Sequence, residues 1–185
     1  MFIQTEATPN PATLKFLPGR EVLAGEPRDF RTPEAAAVSP LAAGLFSVPG
    51  VTGVFLGSDF ISVTKDMTEW NHLKPAILGA IMEQFLSGKP VIGEAAEAPV
   101  EGEEFFDATD SETVEVIKEL ISTRVRPAVA MDGGDITFKG FRDGTVYLHM
   151  QGACSGCPSS TATLKSGIEN LLRHFVPGVE AVQQV

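Results

Sequence analysis

Cysteine is scarce: the 185-residue chain has two. That excludes a disulfide-dense secreted scaffold, and it leaves too few thiolates for a four-thiolate metal site within one chain. Bases are few as well, 14 Lys plus Arg against 24 Asp plus Glu, for a formal net charge of −10. Binding to nucleic acid or to an anionic membrane surface rests on a basic footprint, so neither partner is expected. Long apolar runs are missing. The longest, Ala76 to Met82, falls far short of the ~18 residues of a membrane span. The opening Met1-Phe2-Ile3-Gln4-Thr5-Glu6 lacks the basic region and apolar stretch of a secretory signal. The expected setting is therefore reducing and intracellular: a bacterial cytoplasm, or the mitochondrial matrix if a transit peptide has been removed. In such a compartment a cysteine pair points to metal or redox chemistry before structure.

The acids that are present are unevenly spread. Residues 93–110 hold seven of them (Glu94, Glu97, Glu101, Glu103, Glu104, Asp107, Asp110) and no base, whereas 1–92 and 111–185 are nearly neutral. A like-charged stretch rich in Ala, Gly and Pro buries too little surface to fold and extends as a linker. Phe105 and Phe106 are the exceptions, suited to docking on the second domain. The expected plan is a first domain at 1–92, an acidic linker at 93–110 and a second domain at 111–185, of α+β class throughout.

In the first domain, Leu14 to Leu17 before Pro18-Gly19 reads as a strand. Ser39-Pro40 reads as an N-cap with proline at the first helical position. Val51–Leu56 and Phe60–Lys65 read as a hairpin around Gly57-Ser58-Asp59. Trp70, Leu73, Ile77, Ile81 and Phe85 recur at helical spacing, with Gly88 as the C-cap. No ligand spacing or catalytic constellation accompanies them.

The second domain reads α-β-β-α-β. Thr109 and Glu112 form a capping box ahead of a helix carrying Val114, Ile117, Leu120, Ile121 and Val125, which Pro127 ends. Asp132-Gly133-Gly134-Asp135 is a turn. Ile136 and Phe138, then Val146, Leu148 and Met150, alternate with polar residues as a hairpin turned at Arg142-Asp143-Gly144. Leu164, Ile168, Leu171, Leu172 and Phe175 mark the second helix, and Val179–Val185 the last strand.

Between hairpin and second helix lies Cys154-Ser155-Gly156-Cys157-Pro158-Ser159-Ser160. Pro158 suits the first helical position, which sets Cys157 at or beside the N-cap, where free N–H groups and the helix dipole favour thiolate. Ser159 and Ser160 add hydroxyl donors nearby. A loop this rich in Gly and Ser offers little apolar surface to bury the cysteines. Three readings of the pair stand open: iron–sulfur binding, a thiol–disulfide oxidoreductase, or half of a zinc site bridging a structural dimer. The redox reading is weakened because a thioredoxin-like pair is expected in a βαβ unit, and this one follows a hairpin. His149, on the exposed face of its strand, and His72 and His174 do not complete a ligand set. Two chains together supply four thiolates, so the metal-bound form is expected to be a twofold homodimer.

Thr8-Pro9-Asn10-Pro11, Leu14-Lys15-Phe16-Leu17-Pro18-Gly19, Pro49 to Lys65, Asp132-Gly133-Gly134-Asp135 and Cys154 to Ser160 together resemble the Nfu family of iron–sulfur cluster proteins. The resemblance covers an Nfu N-terminal domain and a NifU C-terminal-like domain, nearly the whole chain apart from 93–110. It implies a non-enzymatic carrier or late-acting scaffold. Cys154 and Cys157 would be the ligands of a [4Fe–4S] cluster shared between two subunits, with [2Fe–2S] as the other possible form. It also implies an upstream scaffold as donor, and apo iron–sulfur enzymes such as lipoyl synthase or aconitase as recipients.

Overall fold

Apolar residues gather in two cores with no member in common. They belong to two compact units, Met1–Pro99 and Val100–Val185. The computed structural model describes residues 2–93, 103–155 and 158–185. Both units mix helices with an antiparallel or mixed sheet, so the class is α+β.

The first unit contains β1 (Gln4–Ala7), β2 (Thr13–Leu17), β3 (Arg28–Phe30), α1 (Pro33–Ala36), α2 (Pro40–Phe46), β4 (Val51–Leu56), β5 (Ile61–Lys65) and α3 (Trp70–Ser87). The strands make one antiparallel sheet in the order β1-β2-β5-β4-β3. Ser39 caps α2 as its sequence predicts, its Oγ accepting from the Ala42 N–H at 3.1 Å while its hydroxyl donates to Val91 O at 2.6 Å. α3 buries Leu73, Ile77, Ile81 and Gln84 at spacings of four, four and three, and Gly88 closes it in the left-handed region at φ 69°. Pro75 lies inside this helix, at the cost of one N–H donor. Sequence patterning does not reveal β1, β3 or α1. β1 is exposed along its whole length, and the other two are three and four residues long, so none has a period to read.

The second unit contains α4 (Ser111–Leu120), a π-helical turn at Ile121–Val125, α5 (Arg126–Met131), β6 (Gly134–Arg142), β7 (Thr145–Gly152), α6 (Pro158–Phe175) and β8 (Ala181–Gln184). Two expectations fail here. The capping box does not form: α4 begins at Ser111 after a short 3-10 turn, and its N-cap Asp110 makes no side-chain bond to the helix. Nor does Pro127 end the helix. The wider π turn comes just before it, so Pro127 enters at the start of α5, where its missing N–H and its ring are tolerated.

β6 and β7 pair antiparallel through Asp143 and Gly144, both at positive φ, 51° and 75°. Val146, Leu148 and Met150 are buried on one face. β8 then pairs with β7 in parallel, so α6 is the crossover of a β7-α6-β8 unit. Contrary to the expectation from the hairpin, the cysteine loop does lie in a βαβ unit, and context does not weaken the redox reading.

Phe105 docks on this unit. Its N–H donates to Lys139 O at 3.1 Å and its carbonyl accepts from Phe141 N–H at 2.9 Å, which adds a short parallel bridge to β6. Its ring lies 5.1 Å from Tyr147, with the Arg142 guanidinium 5.3 Å away, over a gap left by Gly140, where a Cβ would come 2.4 Å from the ring. Glu104 anchors the same segment on Lys118 at 2.8 Å. Phe106 is 40% exposed. We expect Phe105→Ala to lower the stability of this unit by about 1–2 kcal/mol, the order of a half-buried ring with its aromatic pair. Urea unfolding of the full chain followed at Tyr147 measures it.

Candidate metal centre

The strand-to-helix handover is built around close backbone contact. β7 ends at Gly152, which takes φ 64° and lies opposite Gly134, the first residue of β6. The next residue is tied back to the neighbouring turn, Ala153 N–H donating to Gly133 O at 3.2 Å. Beyond it, Cys154 O accepts from the Thr161 hydroxyl in the first turns of α6, at 3.0 Å. Ala153 and Cys154 are thus held from both sides.

Cys154 is 7% exposed and belongs to the core with Ile136, Met150 and Leu172. Its Sγ lies against Gly134. A Cβ at that glycine would come 2.5 Å from the sulfur and 2.8 Å from Gln151 O, so the seat exists only because residue 134 has no side chain. The expectation that the loop could not bury its cysteines fails for Cys154, because the apolar wall comes from the packed strands and helices and not from the loop. Burial pushes its thiol up to about 12, and the charges of Asp132 and Asp135 add to the shift.

Cys157, with Gly156, lies outside the described residues. α6 does begin at Pro158, as expected. The hydroxyls expected of Ser159 and Ser160 as donors lie outside the described side chains.

Asp135 steadies the same corner. It is 4% exposed, and Arg126 grips it with a fork, Nε to Oδ1 and Nη2 to Oδ2, both at 2.9 Å. A two-point ionic contact of this geometry satisfies a buried carboxylate while fixing its direction. Alternation along β6 places Asp135 on the polar face and gives no hint of a partner in the preceding helix.

The histidines do not join the site. His149 Nδ1 contacts Val185 O at 3.2 Å, and His174 stacks edge-on against Phe175. Among the described residues no three His, Cys, Asp or Glu side chains are grouped to hold a metal ion, and no helix is long and apolar enough to cross a membrane.

Two families match this chain in tandem. The scaffold protein Nfu/NifU N-terminal family covers residues 3–88, and the NifU-like domain covers residues 117–183. Over 187 aligned residues the chain is 52% identical to the NFU1 iron-sulfur cluster scaffold homolog, mitochondrial, of Homo sapiens, covering all of this chain and 72% of that protein. It is 51% identical to NifU-like protein 4, mitochondrial, of Arabidopsis thaliana, covering 66% of it, and 52% identical to the Drosophila persimilis NFU1 homolog, covering 65%. The chain thus spans just under two thirds of the plant and fly relatives. Among solved structures, a NifU-like protein from Saccharomyces cerevisiae, determined by solution NMR, is 30% identical with a TM-score of 0.46, over 51% of this chain and 86% of that one. By its identity to these relatives across its whole length, the chain belongs to the Nfu/NifU family of iron–sulfur cluster scaffold proteins.

Proposed function

We propose that the chain is a non-enzymatic carrier whose cargo is a [4Fe–4S] cluster, held by Cys154 and Cys157 of two copies and passed to apo-proteins. The observation that carries this is the placement of Cys154 at the strand-to-helix handover ahead of Pro158, in a chain of this family. Four thiolates match the four irons of such a cluster, and two chains supply them. The proposed division keeps the ligands in 111–185 and recipient recognition in 1–92, with 93–110 joining them and its end docked on the second unit through Glu104 and Phe105. A donor scaffold upstream and apo-enzymes such as lipoyl synthase or aconitase downstream are the partners this reading calls for. Of the two expected compartments, the mitochondrial matrix is favoured by the names of the relatives; those comparisons lend the bacterial cytoplasm no support.

The oxidoreductase alternative keeps the same cysteine pair. Thiol–disulfide exchange needs an accessible thiolate, and in the metal-free chain Cys154 is buried, so on this reading the attacking thiol would have to be Cys157. Anaerobic reconstitution with iron and sulfide tests the proposal against both alternatives. About two irons and two sulfides per chain, in a dimer, is the result expected of a shared [4Fe–4S] cluster. Zinc that iron does not displace would instead establish the zinc-bridged dimer, and disulfide reduction by the metal-free chain would establish the oxidoreductase.

A further inference from the structure

A sulfur shared with a second chain has to stand at the surface, and Cys154 does not. The metal-free seat therefore differs from the ligating position, and something must hold the thiol in and then let it go. This rests on the reading of Cys154 as a cluster ligand. We infer that Thr161 is a positioning residue for Cys154: its hydroxyl pegs the Cys154 carbonyl, keeping the thiol sheathed against Gly134 until cargo loading releases it.

The surrounding bonds separate fixed parts from movable ones. Gly134 starts a strand paired along its length with β7, and the Arg126–Asp135 fork secures the next residue. The floor of the seat is therefore rigid. Among the described residues, Cys154 is tied forward by the hydroxyl of Thr161, a bond between neutral groups that the first turns of α6 present. Behind it, Gly152 at positive φ is the position where backbone rotation meets least steric resistance. Turning Ala153 and Cys154 about Gly152 breaks the Thr161 bond and the Ala153 N–H bond to Gly133 O, and frees the sulfur while β6 and β7 stay paired. The sheath shields a thiol that has no metal to protect it, since exposed thiolates are the ones that oxidise.

The test uses the full-length metal-free chain carrying Cys157→Ala, so that only Cys154 remains. Iodoacetamide alkylates the thiolate sulfur, iodide leaves, and mass spectrometry follows the adduct with time. Thr161→Val should be alkylated about 5-fold faster, the weight of one hydrogen bond between neutral partners. Thr161→Ser, which keeps the hydroxyl, should react at the parent rate. Gly134→Ala removes the seat directly and should react at least as fast as Thr161→Val, which keeps the question answerable if the valine variant does not fold. Alkylation of a folded Thr161→Val chain at the parent rate would overturn the peg, and equal acceleration of the serine and valine variants would show that packing and not the hydroxyl matters. Iron uptake by the Thr161→Val chain with Cys157 intact separates this inference from the reading beneath it. If the parent chain takes up no iron, the carrier reading fails, while the alkylation series still decides the peg.

Discussion

Cys154→Ala and Cys157→Ala should each abolish iron uptake on anaerobic reconstitution and, with it, metal-dependent dimerisation. The effect is a complete loss because of the ligand count. With one thiolate per chain a dimer offers two, and a [4Fe–4S] cluster needs one for each of its four irons. Among the described residues no three His, Cys, Asp or Glu side chains are grouped to hold a metal ion in place of the lost pair. Alanine is the better probe at residue 154. Serine would place a hydroxyl in a seat lined by core side chains and the Gly134 backbone, at a cost of about 1–3 kcal/mol for a buried group without a partner, so lost iron would be confounded with lost fold. Alanine leaves a small void and no unpaired polar atom. Iron and sulfide analysis with native mass spectrometry reads the outcome, and thermal melting confirms that the variant is folded. A full cluster in either variant would show the ligand assignment to be wrong.

The same loop shows what one-dimensional patterning can and cannot reach. Helical periodicity and cap chemistry place α2, α3 and α6, because Ser39, Gly88 and Pro158 act on their own neighbours. Alternation finds β7, because one face of it is buried and the other is not. The run-on of α4 through Pro127 is not legible, since it depends on a π turn that no local residue signals. The parallel pairing of β8 is not legible either: it is a contact across the length of α6, and only that contact puts the cysteines in a βαβ unit. At the site itself, residue type and spacing single out the cysteines, and the start of α6 follows from Pro158. The burial of Cys154 does not follow, because the glycine it lies against, Gly134, is 20 positions away in the chain and the core it joins is drawn from several elements. Thr161 and the Arg126–Asp135 fork are invisible for the same reason: each matters through a partner chosen by the fold.

Burial of Cys154 also has a pH signature. Its thiol lies at about 12 in the folded chain against an ordinary value of 9.0, so the folded state keeps a proton that the unfolded state gives up first. Below pH 9 the thiol is neutral in both states and its contribution is intact. Between about 9 and about 12 the unfolded chain binds fewer protons, and stability falls as pH rises through that window. At pH 8 the same difference makes the thiolate about a thousandfold rarer in the closed seat than in the unfolded chain. Alkylation of the native chain is then carried by openings of the loop, and in the Cys157→Ala background we expect it to run about two to three powers of ten slower than in urea. A native rate within a few-fold of the unfolded rate at pH 8 would mean that Cys154 already stands at the surface as a ready ligand, and a melting temperature that stays flat from pH 9 to 11 would say the same of its proton.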